Sequence, residues 1–310
     1  MSLKARIFPT IASSFLLATP ALAQPQIGVT MTAFNNPFLT ILLNGIKDQA
    51  AQTGASLQIE DAQLDVGRQI NQVQNFIAND VDAIIVNAVD GDSTMAMTKM
   101  ATEAGVPIVY VNHPPIDIDS LPDTATFVGS NELDSGTMQT QEVCRLLGGT
   151  GQVLVLMGPP ENHAAHTRTK DIEDVLETDA CSGLEIVDKQ VANWSRLEGQ
   201  DRMTNWLTAG IEFDAVIANN DEMAIGAIQA LKIAGSDMDD IVVAGIDATP
   251  DGLTAMQAGD LDITVFQNAR RQGAVALDAA LAMSEGTKHD DNLWVPFELV
   301  TPQNIDNYQN

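Results

Sequence analysis

From Ile27 onward the chain alternates short β-branched runs with longer amphipathic stretches, and this rhythm limits its fold more than any other feature. A strand, a crossover helix and a second strand return the chain to the same end of one sheet, so the pattern predicts βαβ units and parallel sheets covered by helices. Gln26–Met31 reads as a strand. Asn36 can cap and Pro37 can open a helix to about Gln52, with Ile41, Leu42, Gly45, Ile46 and Gln49 at helical spacing. Strands follow at 57–60, 83–86 and 108–111, separated by helical patterns at 66–78 and 93–104. After a loop with Pro114, Pro115 and Pro122 the rhythm restarts. It gives strands at 153–157, 184–187, 215–218 and 241–246, and helices at 133–147, 169–176, 199–207 and 223–233. A last strand, helix and strand, at 261–266, 273–284 and 293–299, could complete either sheet. Single cores rarely grow past about 250–300 residues, so 310 residues in this rhythm predict an α/β protein of two lobes.

The first 23 residues are a different kind of sequence. Lys4 and Arg6 precede an apolar stretch that ends in Ala21-Leu22-Ala23 before Gln24, the pattern of a secretory signal peptide. Its uninterrupted apolar core falls short of the roughly 20 residues a membrane-spanning helix needs. Cleavage is expected after Ala23, and no Cys stands there to carry a lipid, which predicts a product free in a bacterial periplasm. In an oxidising compartment the two cysteines, Cys144 and Cys181, are expected to form one disulfide, with two buried free thiols as the alternative. A formal charge of −27 would repel phosphate backbones and anionic membrane surfaces, and it argues against a nucleic-acid partner.

Ligands of open parallel sheets bind beyond the carboxyl ends of the strands. Polar residues stand there repeatedly: Asn87 ends AIIVN, Asn112 ends PIVYVN, Asn219 and Asn220 end AVIANN, Asp247 ends VVAGID and Gln267 ends ITVFQ. Amides offer both a donor and an acceptor, which suits a neutral polyhydroxylated ligand; the competing role for each is to turn the chain or cap the next helix. The catalytic and nucleotide signatures are missing. The only Gly cluster, Gly148 to Gly151, follows a helix instead of a strand, and there is no Walker A sequence, H-E-x-x-H, C-x-x-C or G-x-S-x-G. His163 and His166, read in a polar loop with Glu161 nearby, lack a third ligand, so neither a metal nor a cofactor is expected.

Four motifs, TAFNNPF from Thr32, NNDEMAIGA from Asn219, GIDATPDG from Gly245 and VFQNA from Val265, resemble the periplasmic sugar-binding proteins of the ribose-binding type, which feed ABC transporters. The resemblance runs in order from Ile27 to about Thr301. It implies two Rossmann-like lobes joined by a three-strand hinge, with 27–130 plus 268–298 in the first and 131–267 plus 299–310 in the second. It also implies a small neutral carbohydrate or polyol as ligand, an ABC transporter permease as partner, a chemoreceptor as a further candidate partner, and a monomer. Carried over residue by residue, Asn36 resembles the hydroxyl-binding Asn, Phe38 and Trp194 the stacking rings, Arg168 the Arg from the second lobe, and Asn87, Asn220, Asp247 and Gln267 the remaining polar set. Aromatic faces suit the C–H face of a sugar ring.

Two departures bear on the ligand. Asn112-His113 stands where ribose binders carry an Asp-Arg pair, and Leu39 replaces the second aromatic of the first loop. They argue against ribose and for another pentose or hexose, a polyol, or a cyclitol such as an inositol. The alternative function is an exported carbohydrate-processing enzyme with Asp247, His113 and Glu161 as acid and base, although no nucleophile or metal set accompanies them. Transcription factors of the lac-repressor type share the fold but begin with a basic helix-turn-helix instead of an apolar leader.

Overall fold

Helices in this chain begin where a short polar side chain accepts a backbone N–H. Asn36 Oδ1 accepts from Leu39 at 3.1 Å, Asp65 Oδ1 from Arg68 at 2.8 Å, and Asn220 Oδ1 from Met223 at 3.0 Å, each satisfying a donor that the first turn leaves unpaired. A computed structural model describes residues 24–289 and 292–308, so the expected signal peptide, 1–23, lies outside the described residues. The chain runs β1 (Gln26–Met31), α1 (Pro37–Thr53), β2 (Ser56–Asp61), α2 (Val66–Ala78), β3 (Ala83–Val86), α3 (Thr94–Ala104), β4 (Ile108–Val111) and β5 (Ala125–Gly129). It continues with α4 (Glu132–Leu146), β6 (Thr150–Met157), α5 (His163–Leu176), β7 (Gly183–Val191), α6 (Arg196–Ala209), β8 (Ala215–Ala218), α7 (Asp221–Ala234), β9 (Val242–Ala244), α8 (Pro250–Gln257) and β10 (Thr264–Gln267). Then come α9 (Ala269–Ser284), β11 (Leu293–Trp294) and β12 (Phe297–Val300).

These elements form two α/β lobes. The first sheet has the order β11-β5-β4-β3-β1-β2 and is parallel throughout. The second has the parallel order β7-β6-β8-β9. It continues into β10 through parallel bridges at Ala244–Ile263 and Asp247–Phe266, and β12 pairs antiparallel with β10. In each lobe the strand order reverses beside the first strand, which opens a crevice at the carboxyl ends of β1 and β3 and of β6 and β8. Strands β3, β4 and β8 are buried along their whole length, as parallel strands covered on both faces must be. Helices α1 and α9 cover one face of the first sheet so closely that a Cβ at Gly45 would lie 2.2 Å from the Arg270 carbonyl oxygen. A side chain there would force the helices apart.

The structure modifies the sequence reading at three points and bears out the expected disulfide. The strand read over 293–299 is two: β11 extends the first sheet, the chain crosses at Val295-Pro296, and β12 joins β10 in the other lobe. β5 and α8, both short, went unread. Helix α5 begins at His163, so His163 and His166 occupy its first turns, not a polar loop, and both are exposed. Cys144 and Cys181 are joined, with Sγ–Sγ 2.10 Å, tying the end of α4 to the segment before β7.

Candidate functional site

The carboxyl ends of both sheets face one cavity of about 760 Å³ between the lobes. Nine of the ten residues singled out from sequence line it: Asn36, Phe38, Asn112 and His113 from the first lobe, and Arg168, Trp194, Asn220, Asp247 and Gln267 from the second side. Asn87 does not. It is fully buried below the floor, where Oδ1 accepts from Thr32 N–H at 3.2 Å and Nδ2 donates to the Val111 carbonyl at 3.2 Å, clamping the ends of β1, β3 and β4. Asn219 does the equivalent in the second lobe, accepting from Gly158 N–H and the Thr169 hydroxyl, both at 3.1 Å.

Backbone strain concentrates at this cavity. Leu64, Asn112, Asn193, Trp194 and Asp247, five of the eight non-glycine residues with positive φ among those described, line it. Such conformations cost free energy and persist where the surroundings fix a functional geometry. Two of the turns are counterparts. Gln63-Leu64 (φ 54° and 60°) leaves β2, and Asn193-Trp194 (φ 51° and 58°) leaves β7. Each follows a buried Ala, Ala62 or Ala192, and each leads into a cap, Asp65 or Ser195. The recurrence of Ala-x-x-Asp and Ala-x-x-Ser at these positions is the sequence signal for a further cavity-lining residue, Leu64, the counterpart of Trp194 in its turn.

Arg168 is the electrostatic centre. It is 4% exposed and donates from Nε to Glu132 Oε2 at 2.8 Å, from Nη2 to Glu132 Oε1 at 3.3 Å and to Gln267 Oε1 at 3.2 Å, and from Nη1 to the Asn219 carbonyl at 2.8 Å. Its guanidinium also stands 5.7 Å from the Trp194 ring and 5.8 Å from Phe297. Trp194 in turn lies flat on Gly158, where a Cβ would approach within 2.4 Å of the ring. Glu132 was not identified from sequence, because an acid just after the capping Asn131 reads as an ordinary partner of the helix dipole. Glu222, paired with Arg196 at 2.9 Å, and Asn162, the cap of α5, also line the cavity.

Asp247 is the open group of the site. Among the described residues no hydrogen-bond donor reaches its carboxylate; Arg168 Nη1 comes to 3.9 Å. Burial raises its pKa well above the usual range, while Arg168 pulls it back. Asn220 spends Oδ1 on its helix, and its Nδ2 has no partner among the described residues; the same holds for Gln267 Nε2. Behind them Asp221, fully buried, accepts from Thr249 N–H at 2.8 Å and from the Thr264 hydroxyl at 2.7 Å, which fixes the loop carrying Asp247; burial pushes its pKa up to about 7. A cavity with an unpartnered carboxylate, spare amides and two aromatic walls can hold a ring bearing several hydroxyls, since these both donate and accept.

Comparison with known proteins agrees with this chemistry. The sequence model of the periplasmic binding protein domain matches residues 27–288. A candidate rhizopine-binding protein of Rhizobium meliloti is 57% identical over 300 residues, covering 96% of this chain and 97% of that protein. The ribose import binding protein of Bacillus subtilis is 30% identical over 303 residues, covering 93% and 96%. An ABC transporter solute binding protein from Bacillus halodurans, solved with bound myo-inositol, superposes with a TM-score of 0.87 at 41% identity and covers 94% of this chain and 99% of that one.

Proposed function

The chain belongs to the family of periplasmic binding proteins, and from that premise we propose that Asn36, Phe38, Asn112, His113, Arg168, Trp194, Asn220, Asp247 and Gln267 enclose one cyclitol of the inositol type. The protein is a sugar- or polyol-binding component of an ABC transporter that delivers its ligand to the permease; its relatives are binding proteins, not enzymes. The observation that carries the choice of ligand is Asp247, a buried carboxylate without a donor beside spare amides. It demands hydroxyl donors on a ring stacked between Phe38 and Trp194. Asn112-His113, in place of an Asp-Arg pair, removes two charged groups from the first lobe and disfavours ribose. The relative that carries myo-inositol at 41% identity supports the same class.

In this reading Asn87 supports the site from below. We place the first lobe at 27–130 plus 268–298 and the second at 131–267 plus 299–310, as read from sequence, except that the last bound moves back to Val295-Pro296, because β12 pairs with β10. Residues 1–23 are removed on export, and the mature protein works as a periplasmic monomer whose closed form a chemoreceptor could also recognise. Titration calorimetry of the mature protein with myo-inositol, xylitol and ribose tests the proposal. Myo-inositol should bind with a Kd below about 100 μM, about −5.5 kcal/mol, and more tightly than ribose. Ribose binding tighter than myo-inositol would overturn the ligand choice.

A further inference from the structure

His113 and Asn162 face each other across the cavity from different lobes. His113 follows β4, and its Nδ1 lies 2.6 Å from the Ala88 carbonyl. A carbonyl only accepts, so Nδ1 carries the proton and Nε2 presents a lone pair. Asn162 caps α5, with its Oδ1 accepting from Ala165 N–H at 3.3 Å. That bond orients the amide and turns Nδ2 toward His113, 3.5 Å from Nε2. The two assignments, fixed independently by Ala88 and Ala165, leave a donor facing an acceptor. The separation is at the outer limit of hydrogen bonding, so a small change in the closing angle makes or breaks the contact. Among the described residues no other side-chain hydrogen bond joins the two rims of the cavity.

We propose that His113 and Asn162 form a cross-cleft latch: neutral His113 accepts from Asn162 and holds the lobes together, and protonation of Nε2 sets donor against donor and releases them. The charged groups acting on His113 are Glu132 on α4, which favours the protonated ring, and Arg168 on α5, which opposes it; Glu161, beside Asn162, lines the same cavity. Glu132 and Arg168 are paired, and burial remains the dominant influence, lowering the pKa of His113 from 6.5. A group whose pKa is depressed on closure favours closure fully above its open-state value and loses that contribution as the pH falls through its closed-state value. Release therefore belongs to the acid side, below about pH 6.5.

The latch rests on the reading that the lobes close on a polyol, and the test separates the two. Asn162→Asp keeps an oxygen for Ala165 N–H but places a carboxylate opposite Nε2. Myo-inositol affinity of the wild type should fall about three- to tenfold from about pH 7.5 to about pH 5, the range one net hydrogen bond supplies. In Asn162→Asp it should be lower at about pH 7.5 and rise on acidification, because protonated His113 then meets an acceptor. Parallel pH profiles in the two proteins would overturn the latch. Small-angle scattering of both ligand-free proteins over the same range supplies a readout that needs no ligand: the wild type should expand on acidification and Asn162→Asp contract. A radius of gyration independent of pH in both would also overturn it, whereas failure of myo-inositol to bind at any pH would overturn only the ligand class.

Discussion

Replacing Glu132 with Gln tests whether the second side of the cavity is organised around one buried ion pair. Arg168 and Glu132 are 4% and 6% exposed. The substitution is nearly isosteric, keeps one acceptor oxygen and removes the charge. Breaking a buried pair from one side costs about 3–5 kcal/mol, because the remaining charge stays desolvated. Here the loss is partly offset, since Asp247 Oδ1 already stands 3.9 Å from Nη1 and takes over as counter-ion. The net destabilisation should be about 2–4 kcal/mol, which lowers Tm by about 4–16 °C in a protein of this size. Myo-inositol affinity should fall as well, because Asp247 is drawn toward Arg168 and away from the ligand. Thermal unfolding followed by circular dichroism without ligand reads the first effect and calorimetry the second. The double variant Glu132→Gln with Arg168→Met removes the stranded charge and should recover most of the lost stability without recovering binding. A Tm of Glu132→Gln equal to that of the wild type would refute the reasoning, and so would a double variant no more stable than the single one.

Four further outcomes follow from the structure. Trp194→Ala should weaken myo-inositol binding by about 1–3 kcal/mol while the ligand-free Tm changes less than for a core aromatic, read by calorimetry and thermal unfolding. Replacing Cys144 and Cys181 by Ser opens a loop of 37 residues and should cost about 4 kcal/mol of stability in urea unfolding, with ligand affinity retained. Asn87→Ala should destabilise by about 1–3 kcal/mol, because the Thr32 N–H and the Val111 carbonyl lose their partner in a buried position. Asp171, raised from 3.8 to about 7 by burial and then by Glu132, binds a proton when folded that it releases when unfolded, so its contribution falls as the pH rises from about 4 through about 7. Asp171→Asn should therefore raise Tm more at about pH 8 than at about pH 5.

The alternation of strands and helices was legible because parallel strands buried on both faces are apolar throughout and the helices carry conventional caps. Elements whose signal is short, β5 and α8, were not. The first passes as part of a Pro-rich loop, and the second spans only eight residues. The polar ends of β4, β8, β9 and β10 pointed to the site because the backbone turns sharply there, yet the same logic misplaced Asn87. An amide at a strand end can clamp backbone beneath a cavity as readily as it can line one, and sequence does not separate the two. Glu132 and Asn162 were hidden because each also serves as an ordinary helix-start residue; the second role of Glu132 appears only when α5 brings Arg168 against α4, and that of Asn162 only when the other lobe brings His113 opposite.

Among the described residues the chain crosses between the lobes three times, after β5, after β10 and at Val295-Pro296, and this imposes an order on synthesis and folding. The parallel strands β6 to β10 of the second lobe come from one continuous stretch and can assemble once it is complete, with β12 added later at the edge. The first cannot. Its helix α1 must wait for α9, and the hydrogen bond between Gln49 and Asp278 joins residues 229 positions apart. Until then, the apolar face of β3 and β4 that α9 will cover stays open, and a lobe begun first at the ribosome is finished last. The export proposed above would draw on that delay: the leading half remains extensible until the trailing residues arrive to lock it.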